Sequence, residues 1–109
     1  MNDIQIITEA LVEFRNERDW EQFHNPKDLA IAISIESGEL LEEFLWKNHQ
    51  DANIGSIKKE LADVLAYSLL LADKYNLDPE EIILEKINEN RLKYPVEKSK
   101  GTSKKYDQL

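Results

Sequence analysis

The sequence contains no cysteine, which excludes a disulfide framework, thiolate chemistry and any zinc–sulfur site. Its three glycines, Gly38, Gly55 and Gly101, stand far apart, so no glycine-rich loop is available to cradle phosphates. Histidine occurs only at His24 and His49, and no Ser/His/Asp or Cys/His set can be assembled for nucleophilic catalysis. No apolar run is long enough, or free enough of charge, to span a bilayer. Met1-Asn2-Asp3-Ile4-Gln5 has neither the basic start nor the apolar core of a secretion signal. A cytoplasmic setting without a membrane partner is the expectation. Positive charge is also scarce. The net charge of −8 argues against a nucleic-acid polymer as partner, because that binding runs through the phosphate backbone.

What is present describes a folded, soluble domain. Of 109 residues, 41% are hydrophobic and 33% charged, enough for a core but small enough that oligomerisation would help it. The charge is uneven. Residues 1–92 carry nine Lys/Arg against twenty Asp/Glu, whereas residues 93–109 carry five Lys against two acids. A single domain is expected, with a core at about 3–94 and a basic arm at 95–109. The arm is either a frayed terminus or a counterpart for polyphosphate.

Apolar spacing at Ile4, Ile7, Leu11 and Phe14 predicts an amphipathic helix over 3–18. Glu17 to His24 is an acidic, aromatic connector without a period. Its Trp20 and Phe23 either cap the core or, with His24, form a stacking platform for a base. Asn25-Pro26 is a helix start, and the helix is expected to run to about Trp46. Residues 29–35 are apolar almost all round, which marks a central helix. A third helix is expected over roughly 54–75. Asp78-Pro79-Glu80-Glu81 starts a fourth, which runs to about Leu92 and stops before Pro95.

Within the two central helices stand acids at a spacing that apolar packing does not explain. Glu36 and Glu39, then Glu60 and Asp63, are each three residues apart, so each pair shares one helix face with Leu29, Ala32, Ile33 and Leu40 or with Val64, Tyr67 and Leu71. Carboxylates on such a face cannot stay charged and unpaired without large cost. Hard oxygen ligands of this kind suit Mg²⁺, Mn²⁺ or Ca²⁺. Glu43 points close to the same arc and is a possible accessory ligand.

The pattern Glu36-x-x-Glu39 followed by Glu60-x-x-Asp63 resembles the MazG-type, all-α nucleoside triphosphate pyrophosphatases. The resemblance extends over residues 10–106, through Glu17 to His24, Phe44-Leu45-Trp46, Glu60 to Tyr67, Asn90 to Pro95 and Lys104-Lys105-Tyr106, segments similar to the dCTP pyrophosphatase branch. It implies an all-α, four-helix bundle-type fold in a homo-oligomer, commonly a dimer of dimers. It implies Mg²⁺, with Mn²⁺ a substitute, held by Glu36, Glu39, Glu60 and Asp63, one of which could act as base. Trp20, His24, Trp46 and Tyr67 would line the base-and-sugar pocket. Asn90, Arg91, Lys93, Tyr94 and Lys105 would belong to the phosphate end. The implied substrate is a nucleoside triphosphate, dCTP or a modified dCTP, converted to the monophosphate and pyrophosphate. The connection from Trp46 to Glu60 is shorter than in animal-type members, which leaves base preference open.

Three other readings compete. One is a related all-α hydrolase of the dUTPase sort. Another is a non-catalytic helical module in which Lys58, Lys59 and Lys74 pair with the acids. A ferritin-like di-iron protein needs Glu-x-x-His, and neither histidine follows a helical Glu by three.

Overall fold

Four Asn and Asp side chains start the long helices. In the computed structural model, which describes residues 1–109, Asn2 Oδ1 accepts from Gln5 N at 2.8 Å while Gln5 Oε1 accepts from Asn2 N at 2.9 Å. This reciprocal box opens α1, Asp3–Glu17. Asn25 accepts from Asp28 N and opens α2, Pro26–Glu42, with proline at its first position. Asn53 accepts from Ser56 N at the head of α3, Ile54–Lys74. Asp78 accepts from the Glu80 and Glu81 amides at the head of α4, Pro79–Lys93. A short α5, Val96–Ser99, follows, and 3₁₀ turns lie at Glu21–Phe23, His49–Asp51 and Tyr106–Gln108. There is no strand. The architecture is all-α.

The chain divides into two compact units, Met1–Leu77 and Asp78–Leu109. In the first, α2 and α3 form the principal pair and α1 packs on α3. The centre is small: Leu29 at 1% exposure, with Leu70 and Ala72. Leu29 lies in the first turn of α2 and is its most buried residue. The opposite face of α2 is uncovered, with Ile31 46% and Ile35 56% exposed. The expectation of a helix buried all round therefore holds on one side only, because this unit supplies packing on one side.

Two turns use left-handed residues other than glycine. Asp19 (φ 55°) ends α1 and lets Trp20 N donate to the Arg15 carbonyl at 3.1 Å. Asn76 (φ 54°) ends α3, with Leu77 N donating to the Ala72 carbonyl at 2.9 Å. Asp and Asn tolerate this region because their short side chains bond locally. α2 ends at Glu42 rather than near Trp46. Glu43, Phe44 and Leu45 continue with i→i−3 bonds to the Leu40, Leu41 and Glu42 carbonyls, and Trp46 turns left-handed at φ 65°. Tightening of the last turn satisfies the carbonyls that a helix end leaves over.

In the second unit the arm has a fixed start and end. The Tyr106 ring meets Tyr94 edge-on at 6.1 Å, and Lys93 Nζ lies 5.0 Å from the Tyr106 ring centre. These contacts order residues the sequence leaves without a period.

Candidate active site

The pairing of α2 with α3 brings the two acidic pairs to one place. Carboxylate oxygens of Glu36, Glu60 and Asp63 lie within 4.8 Å of one another. Glu36 and Glu60 are half-buried and Asp63 is exposed. Glu39 completes the group, one helical turn beyond Glu36, as a neighbour of both Glu36 and Glu60. One oxygen each of Glu36 and Glu60, the Oε2 atoms, is buried with no hydrogen-bond partner. Oxygens in that condition are costly unless something outside the hydrogen-bond network satisfies them.

The electrostatics agree with the geometry. Burial first, then the adjoining Glu39 carboxyl and the charges of Glu39, Asp63 and Glu60, push the Glu36 carboxyl up to about 7. Glu60 is raised by burial and Glu39, with Asp63 and Glu43 adding their charge. Like charges crowded at this separation keep a proton or acquire a cation. Donors that are all oxygen, partly buried and unpartnered fit a hard divalent ion and offer nothing to a soft one.

The remaining residues singled out in the sequence fall into three places. The His24 and Tyr67 rings meet edge-on, with centroids 6.2 Å apart. Trp20 packs its edge against Phe14 at 5.8 Å, so the left-handed turn at Asp19 returns the indole to α1. Trp46 is 100% exposed and joins neither ring pair. Asn90, Arg91, Lys93, Tyr94 and Lys105 all lie in the second unit. There Arg91 Nη1 donates to Asn88 Oδ1 at 3.0 Å, and Lys93 Nζ pairs with Glu89 at 3.1 Å. Glu89, held by Lys93 and Lys86, has its pKa lowered. Lys105 is exposed. His49 is exposed as well.

Arg15 is the residue that the periodicity misses. It is buried, whereas Ile7 and Phe14, on the expected apolar stripe, are about half exposed. The sequence signal available is its position one residue after Phe14, facing the acidic connector at Glu21.

The chain matches the MazG-like family over residues 31–109. It belongs to that family. The MazG-like chain is 40% identical over 105 residues to dCTP pyrophosphatase 1 of Rattus norvegicus, covering 89% of itself and 62% of the relative. The corresponding Homo sapiens protein is 38% identical over 105 residues with the same coverages, 89% and 62%. The chain thus spans 62% of the length of these curated relatives. Among solved structures it is similar to a pyrophosphatase from Archaeoglobus fulgidus DSM 4304, with a TM-score of 0.81 and 38% identity over 87% of this chain and 94% of that one. No helix of the MazG-like chain is long and apolar enough to cross a membrane.

Proposed function

We propose that this chain is a divalent-cation-dependent nucleoside triphosphate pyrophosphohydrolase, with dCTP or a modified dCTP as substrate. The observation that carries the reading is the convergence of Glu36, Glu60 and Asp63, two of whose oxygens are buried without partners. The names of its relatives, dCTP pyrophosphatase 1 and an archaeal pyrophosphatase, support the same reaction.

Glu36, Glu39, Glu60 and Asp63 would hold Mg²⁺, with Mn²⁺ a competent substitute. When bound, such an ion neutralises triphosphate charge and lowers the pKa of a water it carries. The chain's own residues do the rest. One of the four, Glu36 or Glu39, would take a proton from the attacking water instead of serving as a ligand. The water oxygen bonds to the α-phosphorus as the bridging oxygen leaves with pyrophosphate, giving a nucleoside monophosphate. His24 and Tyr67, with Trp20 and Trp46, take the base and sugar. Asn90, Arg91, Lys93, Tyr94 and Lys105, all in the second unit, carry the donors and charge that phosphate oxygens call for. The Lys93–Glu89 pair is no obstacle, since an exposed pair of this kind is weak.

The exposed apolar face of α2, with Ile31, Ile35 and Leu41, supports assembly as a homo-oligomer, a dimer of dimers in this reading, because such a stripe is normally covered. The test of the reaction is hydrolysis in heavy-oxygen water followed by phosphorus NMR. Attack at the α-phosphorus puts the label in the monophosphate and none in pyrophosphate. Label in pyrophosphate would mean attack at the β-phosphorus and overturn the assigned bond.

A further inference from the structure

Residues 95–109 have no apolar period, and a chain end of that kind is normally loose. This one is held. Pro95 leads into α5, whose last residue, Ser99, has its hydroxyl oxygen buried without a partner. Gly101 then takes φ 79°, in the left-handed region that glycine enters freely. A Cβ placed there would meet nothing within 4 Å, so the glycine serves the backbone and not the space around it. Beyond it, the Thr102 hydroxyl accepts from Lys104 N at 3.3 Å, and the Lys105 carbonyl accepts from Gln108 N at 2.9 Å.

The hydrogen bonds of this segment are all local. Lys98, Ser99, Lys100, Thr102, Lys104 and Gln108 donate to residues two to four places earlier, and none reaches α4. The directional contacts that return the chain to α4 belong to one ring. Tyr106 meets Tyr94, the residue after α4, edge-on at 6.1 Å. Lys93 Nζ, from the last residue of α4, lies 5.0 Å from the centre of the same ring. An edge-on aromatic pair and a cation over a ring are both attractive. Lys93 also pairs with Glu89 at 3.1 Å, so one ammonium has two partners.

Lys105 is the residue before Tyr106. Docking that ring on Lys93 and Tyr94 brings the Lys105 backbone to the end of α4, where Lys93 stands and Arg91 lies two residues earlier. Gathering cations costs repulsion unless an anion is shared among them.

We infer that Tyr106 is a positioning residue, docking the chain end on α4 so that Lys105 joins Lys93 and Arg91 in taking one polyphosphate. The docking rests on the ring contacts; its consequence for the substrate rests on the hydrolase reading. Pyrophosphate, the product, calls on the same charged donors as the triphosphate.

A proton–nitrogen NOE measurement on the labelled full chain reads the docking directly. Residues 102–108 of the wild type should be as rigid as α4 on the fast timescale it reports. Tyr106→Leu removes the ring and should loosen them while residues 79–93 stay rigid. Tyr106→Phe keeps the ring and should leave them rigid. A wild-type end as mobile as a free terminus, or a Tyr106→Leu end still rigid, overturns the inference.

Gly101→Ala leaves every contacting group in place and strains the reversal, so it separates positioning from direct contact. With dCTP, Tyr106→Leu and Gly101→Ala should each raise KM roughly fivefold, the scale of lost ring contacts acting on the docked fraction. The inhibition constant of pyrophosphate should rise in parallel, and kcat should change less. If Tyr106→Leu raises KM and Gly101→Ala, with its end loosened, does not, the ring touches the nucleotide itself and the positioning role is overturned. A loosened end with unchanged KM in Tyr106→Leu overturns it as well. A wild type inert toward every nucleotide refutes the hydrolase reading. Calorimetry with pyrophosphate and Mg²⁺ then decides: weaker binding by Tyr106→Leu upholds the inference, and equal or absent binding overturns it.

Discussion

Asp63→Asn is expected to lower pyrophosphate release by roughly 10²–10³-fold, the loss typical of removing one charge-stabilising group from an active site. Asn keeps the shape of Asp and removes its charge. Asp63 is exposed, so the change opens no cavity and helical content by circular dichroism should be unaltered. The metal-free variant should be no less stable than wild type, because one of the charges pressing on Glu36 and Glu60 is gone. Activity and stability are thus expected to move in opposite directions, which a substitution that only damaged folding does not produce. Full turnover in the folded variant would remove Asp63 from the metal-ligand set.

The second large effect is a reversal of pH dependence by metal. Glu36 is raised to about 7 in the folded chain, and Glu60 is raised as well. Carboxyls whose pKa is raised by folding stabilise the folded state while they hold their protons and stop doing so as pH climbs through the folded value. Metal-free protein should therefore lose stability as pH climbs from the ordinary glutamate value near 4.5 through about 7. The last part of that loss falls above about pH 6.5, on the order of 1 kcal/mol for Glu36 or about 4–8 °C in Tm for a domain of this size. The lowered pKa values of His24 and Glu89 act in the opposite sense, giving stability that is lost as pH falls. Glu89 does so far below that last part. His24 does so from about one unit above the ordinary histidine value downward, so that it offsets a small part of the decline at the lower end. Saturating Mg²⁺ should abolish the decline and raise Tm most at the alkaline end, where the ligands are charged. A metal-free Tm that is flat or rises over this range would show that the carboxylates are not crowded as described.

Helix starts are legible because their chemistry is local. Asn25-Pro26 and Asp78-Pro79 cap the helices they announce, and α1 ends within a residue of the expected place. The carboxylate cluster is legible because acids at i and i+3 share one helix face, and packing α2 on α3 needs only that both apolar faces meet. The end of α2 is not legible, since no glycine marks the left-handed residue and a tryptophan occupies it. The buried position on α1 is hidden for a different reason. Periodicity counts arginine as surface, whereas Arg15 is buried because Glu21 and Asn16 stand beside it. The tertiary contacts that settle such a position join residues whose meeting depends on the turn at Asp19.

The measurement that bears most directly on the function is pyrophosphate release from a panel of canonical and modified NTPs and dNTPs, with Mg²⁺ and with EDTA. The expected result is release of pyrophosphate and monophosphate in equal amounts, greatest with dCTP or a modified dCTP and lost with EDTA. Silence across the panel from folded protein that still binds Mg²⁺ at Glu36, Glu60 and Asp63 would contradict the account and leave a cation-binding helical module.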